Sequence, residues 1–121
     1  MFREHLQEMV EKVEGSKAAL LMGFDGISID AYTRPDLDEP FDIQTVGMEL
    51  SIVMTQMSKA AELLEEGQVQ EVAIRADRLT LVFRILSQEY FVLLALAPNG
   101  NFGKARFVLR MQVPKILKQL E

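Results

Sequence analysis

Carboxylates and one arginine in a central loop are the first residues of this chain that could do chemistry. The loop at residues 33–42 contains Asp36, Asp38, Glu39 and Asp42. Oxygen ligands of this kind bind Ca²⁺, but the spacing lacks the turn glycine and the terminal bidentate glutamate of an EF-hand. Arg34 precedes them, and an arginine supplied in trans can stabilise charge on a phosphoryl group. Nothing in the sequence distinguishes Arg34 from the other arginines, so we interpret the loop as solvated charge.

Nucleophilic and metal-dependent chemistry has little support elsewhere in the sequence. The chain has no cysteine, which excludes disulfides, thiolate metal sites and cysteine nucleophiles. His5 is the only histidine, so a catalytic triad or a two-histidine metal site would have to be built around one residue. A glycine-rich phosphate loop is also missing from the sequence. We therefore predict a protein that is not an enzyme and that needs neither a cofactor nor a metal.

Length and charge narrow the class further. With 121 residues, of which 49% are apolar, the chain is predicted to be one domain over residues 1–121 with a sizeable core. A net charge of −5 with no visible basic cluster argues against nucleic-acid binding. No stretch approaches the ~18 apolar residues of a spanning helix, and no leader-like run opens the sequence. We expect a cytoplasmic protein without membrane insertion.

The periodicity of apolar residues defines the elements that must position any site. Helical spacing, alternation and turn residues predict helices at 2–14, 43–65 and 102–120, and strands at 18–24, 27–32, 69–75, 79–86 and 90–97. Asp25-Gly26 supplies a tight turn, Gly67 ends the long helix, and Asn101 is a plausible N-cap for the last helix.

The apolar content of the strands predicts their order. The run 90–97 is apolar throughout, which is typical of a central strand covered on both faces. Placing it between the first and fourth strands gives an antiparallel five-stranded sheet of order 2-1-5-4-3, with hairpins joining neighbours. The predicted fold is an α/β three-layer sandwich with the long central helix on one face and the N- and C-terminal helices on the other.

The long helix is apolar on two sides. Its predicted inner face, at 100° per residue, consists of Val46, Leu50, Val53, Met54, Met57, Ala60, Ala61 and Leu64. The opposite side carries Met48, Ile52 and Leu63 beside Thr55 and Lys59. An apolar patch left in water usually marks an interface. The alternative is scattered exposure of single apolar residues, which is common in soluble proteins.

The third strand is predicted to form an unprotected edge of the sheet. Val69, Glu71, Ala73 and Arg75 share one of its faces, and neither proline nor glycine interrupts it. Such an edge either pairs with another strand or invites aggregation. Glu71 and Arg75 could meet opposite charges across a two-fold axis, or could be solvated charges that protect the edge.

Element order carries a resemblance to a known family. The order helix, hairpin, long helix, three-stranded meander and closing helix resembles the Roadblock family of dynein light-chain type, as does the spacing of Asn101, Gly103, Arg106 and Arg110. Within that family the chain is most similar to bacterial members of MglB type. The resemblance implies a homodimer formed through the third strand and the central helix, with binding to a small Ras-like GTPase whose hydrolysis MglB-type proteins stimulate.

The resemblance and the two apolar sides of the long helix predict one dimer or partner interface. It comprises Met48, Ile52, Thr55, Lys59, Leu63, Val69, Glu71, Ala73 and Arg75. Two alternatives are a pure scaffold subunit without effect on GTP hydrolysis, and a profilin-like or PAS-like sensor of small molecules. The sensor would need polar groups converging in an apolar cavity, whereas the inward positions are almost all aliphatic.

Three residues of the last helix are left without a single assignment. Arg106 lies near the core stripe and should either extend its charge to water or pair with an acidic neighbour. Phe107 and Met111 lie on the far side of the same helix. They could pack on the first helix or form a second contact surface.

Overall fold

Three helices and five strands make up the chain in a computed structural model that describes residues 2–120. The elements are α1 (Phe2–Lys12), β1 (Ser16–Gly23), β2 (Ser28–Thr33), α2 (Ile43–Leu63), β3 (Glu71–Arg75), β4 (Thr80–Ile85), β5 (Tyr90–Leu96) and α3 (Phe102–Leu120). Each predicted helix and strand is therefore present. The ends differ by a few residues: β1 begins at Ser16 instead of Ala18, and β3 begins at Glu71, so Val69 precedes it.

The strands form one antiparallel sheet in the order β2-β1-β5-β4-β3. This confirms the predicted order. In the centre, Leu94 of β5 lies opposite Ala19 of β1 on one side and Val82 of β4 on the other. Every residue of β5 after Tyr90 is buried, as expected for a strand with layers on both faces.

Two hydrophobic clusters lie against the sheet. One joins residues of α1 and α3, such as Leu6 and Leu109, to Ala19 and Leu94 of the sheet. The other joins Ile43 and Met54 of α2 to a second set of strand residues, Ala18, Leu20, Met22, Phe83 and Leu93 among them. Successive residues of β1 alternate between the clusters because side chains of a strand point alternately to opposite faces.

The face of α2 nearest the sheet differs from the predicted one. Its buried residues are Ile43, Gly47, Ser51 and Met54. A Cβ at Gly47 would collide with the Leu20 side chain, so glycine allows α2 to lie close to β1. Two small residues, Gly47 and Ser51, thus share the contact with Ile43 and Met54. Val53, Met57 and Leu64, which were predicted to face inward, are exposed in the single chain.

Local capping explains where the two long helices begin. Asp42 accepts hydrogen bonds from the backbone N–H groups of Gln44 and Thr45, at 3.1 and 3.2 Å, and so caps α2. Asn101 accepts from the Lys104 N–H at 3.1 Å, which confirms its predicted role as the cap of α3. Within residues 2–120, none of the helices combines the length and apolar character needed to cross a bilayer.

Candidate interaction surfaces

The predicted interface residues of α2 lie on one exposed side of the helix, which we call the α2 surface. Met48, Ile52, Lys59 and Leu63 are exposed, and the side chains of Ile52 and Leu63 are 66% and 85% accessible. Thr55 is half-buried, and its hydroxyl donates to the Ser51 carbonyl oxygen at 2.9 Å. The structure therefore leaves this set accessible for contact, apart from the partly covered Thr55.

The apolar part of the helix exterior is wider than predicted. Val53, Met57 and Leu64 add to Met48, Ile52 and Leu63, so exposed apolar side chains cover well over a third of the helix circumference. This exposed apolar area on a 21-residue helix makes α2 a candidate contact surface.

The sheet face next to α2 is covered unevenly. Helix α2 packs on β1 and β2. At the other end of the same face, Val72 and Ile74 of β3 and the neighbouring Leu79 and Ile85 are only partly buried. Strand β3 pairs with β4 alone in this sheet, so its outer edge has no partner strand among residues 2–120. The partly covered end of the sheet and helix α2 thus lie on the same face of the sheet.

The charges of β3 are engaged within the chain. The Glu71 carboxylate accepts a hydrogen bond from Arg106 Nε at 2.7 Å and lies 3.7 Å from Arg84 Nη1, and its side chain is 19% accessible. Arg75 and Arg106 both lie over the Phe102 ring, 5.1 and 5.8 Å from its centroid. This confirms that Arg106 pairs with an acidic neighbour. It also ties β3 to α3 through Glu71, so Glu71 is neither solvated nor an unpaired charge at the edge.

An open groove separates the C-terminal half of α2 from the end of β4. It has a volume of about 700 Å³ and is lined by Thr55, Ser58, Lys59 and Gln68 together with Val69 and Arg84. Most of these side chains are polar, and the groove opens to solvent. It therefore lacks the enclosed, mainly apolar character of a binding site for a small molecule.

Three of the residues first considered for chemistry, Arg34, His5 and Asp42, have structural roles. Arg34 Nε donates to the Ser16 carbonyl oxygen at 2.7 Å and Nη2 to the Val10 carbonyl oxygen at 2.9 Å, which fastens the end of α1 to β1. His5 Nε2 lies 3.0 Å from Gln119 Nε2 and links α1 to α3. Hydrogen bonds from the Thr45 hydroxyl and backbone lower the pKa of Asp42 below its usual value. No group of three or more potential metal ligands occurs within residues 2–120.

Helix α3 presents a second exposed surface, which we call the α3 outer face. It consists of Lys104, Phe107, Arg110, Met111, Pro114, Lys115 and Lys118. Phe107 and Met111 are 55% and 56% accessible, so the alternative that they pack on α1 is wrong. The α3 outer face is also a basic cluster, so the expectation that the chain has none is wrong. Charge summed over the whole chain concealed the cluster, whereas charge counted helix by helix reveals it.

Solved structures provide three informative comparisons. MglC from Myxococcus xanthus is 42% identical to this chain, with 98% of each chain covered and a TM-score of 0.71. An MglB with a tetrameric arrangement is 18% identical over 96% of this chain and 85% of that one, with a TM-score of 0.86. A Roadblock/LC7 domain from Streptomyces avermitilis is 14% identical over 97% and 95% of the two chains, with a TM-score of 0.84.

The two matches of low identity show only that the fold is shared, whereas the 42% identity to MglC shows that the two chains belong to one family. Comparison with protein-family models and with curated protein sequences gave no match. The identity to MglC extends over nearly all of both chains, and the Roadblock/LC7 domain shares the fold. This chain therefore belongs to the Roadblock family, as an MglB-like member.

Proposed function

We propose that this protein is a homodimeric module, not itself an enzyme, that binds and regulates a small Ras-like GTPase. The observation that supports this most strongly is the α2 surface, where a long helix exposes apolar side chains on the side away from its own sheet. Burial of such a surface against a second protein removes apolar area from water, which is the main favourable term in protein association.

Symmetry offers a direct way to complete the α2 layer. If β3 pairs with β3 of a second copy, the two sheets become continuous and the second α2 lies beside the first. The partly buried residues Val72, Ile74 and Leu79 would then be covered by a helix that the single chain does not supply. An isologous contact of this kind uses the same patch twice and closes without further growth. The tetrameric arrangement of the related MglB fits a capacity for self-association.

In this proposal the interface consists of the residues predicted from the sequence. Val69, however, lies at the margin of the groove and precedes β3. Met48, Ile52 and Leu63 supply apolar area, and Ala73 and Arg75 lie on the pairing edge. Glu71 contributes indirectly, because it holds β3 against α3. Lys59 and Thr55 lie at the groove and are available to polar groups of the GTPase.

Under this proposal, regulation acts through residues of the GTPase and not through catalytic groups on this chain. The sequence has no phosphate loop, and Arg34 is bonded to two backbone carbonyls. Stimulation of hydrolysis would therefore require that the module reposition residues of the GTPase. Because switch loops are ordered by contacts to the γ-phosphate, the module should prefer the triphosphate form.

The test measures binding and turnover separately. A candidate Ras-like GTPase is loaded with GDP or with a non-hydrolysable GTP analogue, and its binding to the module is measured by calorimetry. Single-turnover GTP hydrolysis is then followed with and without the module. We expect preferential binding of the triphosphate form, and loss of that binding in Ile52→Glu. The matched control is Asn99→Asp, which adds a negative charge in an exposed turn between β5 and α3.

The outcomes separate the proposal from a scaffold role. Equal affinity for the two nucleotide forms with unchanged hydrolysis would favour a pure assembly subunit. Hydrolysis by the module alone after rigorous repurification would contradict its assignment as a protein that is not an enzyme.

A further inference from the structure

The charge of this protein is divided unequally between α3 and the remainder of the chain. Helix α3 contains Lys104, Arg106, Arg110, Lys115 and Lys118. It thus supplies five of the 13 basic residues and none of the 18 acidic ones, although the whole chain carries −5. A basic helix in an acidic protein produces a local positive potential that net charge does not reveal.

Most of these cations have no carboxylate partner among residues 2–120. Arg106 is bound to Glu71. In contrast, no carboxylate of residues 2–120 lies within 4.0 Å of Lys104, Arg110 or Lys115. The acidic group near Lys115 is Glu8, whose carboxylate is already bound by Lys12 at 2.8 Å and by Gln112 at 2.9 Å.

The unpaired cations share one side of the helix with two large apolar side chains. Helical geometry places the α3 outer face within an arc of about 140°, opposite the buried Ala105, Leu109 and Ile116. Phe107 and Met111 are one turn apart at its centre, where side chains at i and i+4 are neighbours. Lys104, Arg110 and Lys115 surround them. A small apolar centre within a charged rim is the usual anatomy of a protein interface.

From this arrangement we propose that the α3 outer face is a docking site for an acidic segment of a partner protein. The segment would carry aspartate or glutamate around one or two apolar side chains. The apolar residues would contact Phe107 and Met111, and the carboxylates would pair with Lys104, Arg110 and Lys115. Because α3 and α2 belong to different hydrophobic clusters, occupation of one exposed surface leaves the other accessible. The protein then joins two partners.

Two features favour a protein segment over an anionic membrane. Two exposed apolar side chains are far fewer than the continuous apolar face with which an interfacial helix enters a bilayer, and the apolar stripe of α3 is already buried. The net charge of −5 also opposes approach of the whole molecule to an anionic lipid surface.

The direct test uses a fluorescein-labelled peptide in which glutamates surround one phenylalanine and one leucine at helical spacing. Its control is the same peptide with glutamine in place of every glutamate. Binding to the full chain is measured by fluorescence anisotropy, without any GTPase, at low and at physiological salt. We expect binding of the glutamate peptide only, weakened severalfold by salt because the cations are exposed.

Variants assign the binding to the α3 outer face. Arg110→Glu should weaken binding by about tenfold, whereas Arg78→Glu, which reverses an exposed charge in the β3–β4 turn, should change it by less than about twofold. Phe107→Ser, which leaves charge unchanged, should also weaken binding severalfold. Circular dichroism melts check that each variant is folded, and a variant that fails to fold is replaced by Lys104→Glu, near the N-terminus of the helix.

Several results would overturn the proposal. One is no binding of the glutamate peptide up to about 1 mM, and another is equal binding by Arg110→Glu and Arg78→Glu. Binding to phosphatidylserine vesicles that Arg110→Glu abolishes, without peptide binding, would assign the face to a membrane. If Arg110→Glu changes the sedimentation of the protein and no peptide binds, the α3 outer face would be assigned to contact with a second copy of this chain. Each of these results leaves the GTPase proposal untouched, since no GTPase is present in the assay.

Discussion

Glu71 is the residue whose surroundings were least expected from its position in the sequence. Alternation placed it on a strand edge, where an acidic residue is commonly solvated. In the structure it receives Arg106 from α3, 35 positions along the chain, and lies near Arg84 of the adjacent strand. Hydropathy patterns assign a residue to a face of its own strand or helix, but they do not predict an ion pair between residues as distant in sequence as Glu71 and Arg106. The pair becomes evident only when α3 lies against β3 in the folded chain.

The Glu71–Arg106 pair should contribute modestly to stability. Because Arg106 is about half exposed, solvent screens the pair. We expect Arg106→Ala to lower the free energy of unfolding by about 1 kcal/mol, the upper range for a partly exposed ion pair. The matched control is Arg110→Ala on the same helix, which lacks such a pair and should lie within about 0.5 kcal/mol of the parent. Urea denaturation measures both. Equal effects of the two substitutions would show that the pair is energetically neutral.

Asp42 should give α2 a pH-dependent cap. Hydrogen bonds from Thr45 lower the pKa of Asp42 from its ordinary value of 3.8. Its cap is therefore fully present above about pH 4 and is lost as the pH falls through the lowered folded-state pKa. We expect Asp42→Ala to lower the melting temperature at pH 7, and Asp42→Asn to lower it less because asparagine also caps helices. The difference between parent and Asp42→Ala should shrink on acidification. A difference that stays constant down to pH 2 would contradict this.

At the scale of elements, sheet order was predictable and the rotation of α2 was not. The uninterrupted apolar runs of β1 and β5 identified central strands, because a strand covered on both faces has little polar surface. The buried face of α2 includes Gly47 and Ser51, which carry little hydropathy. The inner face predicted from apolar residues is therefore rotated about the helix axis, away from the face that is buried. Because the α2 backbone lies close to β1, Gly47 and Ser51 belong to the buried face together with Ile43 and Met54, and hydropathy does not indicate the two small residues.

Substitutions on α2 can test this corrected rotation. Met54→Ala removes a side chain that is almost fully buried and should cost about 2–5 kcal/mol of stability. Gly47→Leu should be at least as harmful as typical overpacking, about 1–3 kcal/mol, because its side chain would enter the space of Leu20 and Met22.

Met57→Ala is the comparison within the same helix. Met57 is partly exposed in the single chain, so in a monomer its truncation should cost much less than that of Met54. Thermal melts at low protein concentration measure all three variants. If Met57→Ala were as destabilising as Met54→Ala under those conditions, the originally predicted rotation would be correct.

At the scale of the whole molecule, the two exposed surfaces differ in kind. The α2 surface is broad and mainly apolar, which suits a permanent contact, whereas the α3 outer face has a small apolar centre and a basic rim, which suits a reversible one. Net charge hides this division because α3 is outweighed by acidic residues elsewhere. The summed charge therefore concealed the basic residues of α3, which a count by helix reveals, and the structure shows that several of them share one exposed face.

The proposed dimer yields the most discriminating prediction for the whole molecule. The parent chain of 13.7 kDa should sediment as a dimer at micromolar concentration. Ile52→Glu should shift it to monomer, because a charge placed in a desolvated contact opposes association by several kcal/mol, or about two or more orders of magnitude in the dissociation constant. Asn99→Asp, with the same added charge, should remain dimeric.

Stability measurements decide how these sedimentation results are interpreted. Ile52 is exposed, so the isolated Ile52→Glu monomer should keep its circular dichroism spectrum and should melt close to a parent sample diluted until it dissociates. A parent chain that stays monomeric at high concentration would contradict the dimer directly. If Ile52→Glu instead melts far below the diluted parent, the side chain is part of the monomer core. If it changes neither melting nor sedimentation, α2 is plain surface, and self-association must use another part of the molecule, with the β3 edge to be tested by Ala73→Pro.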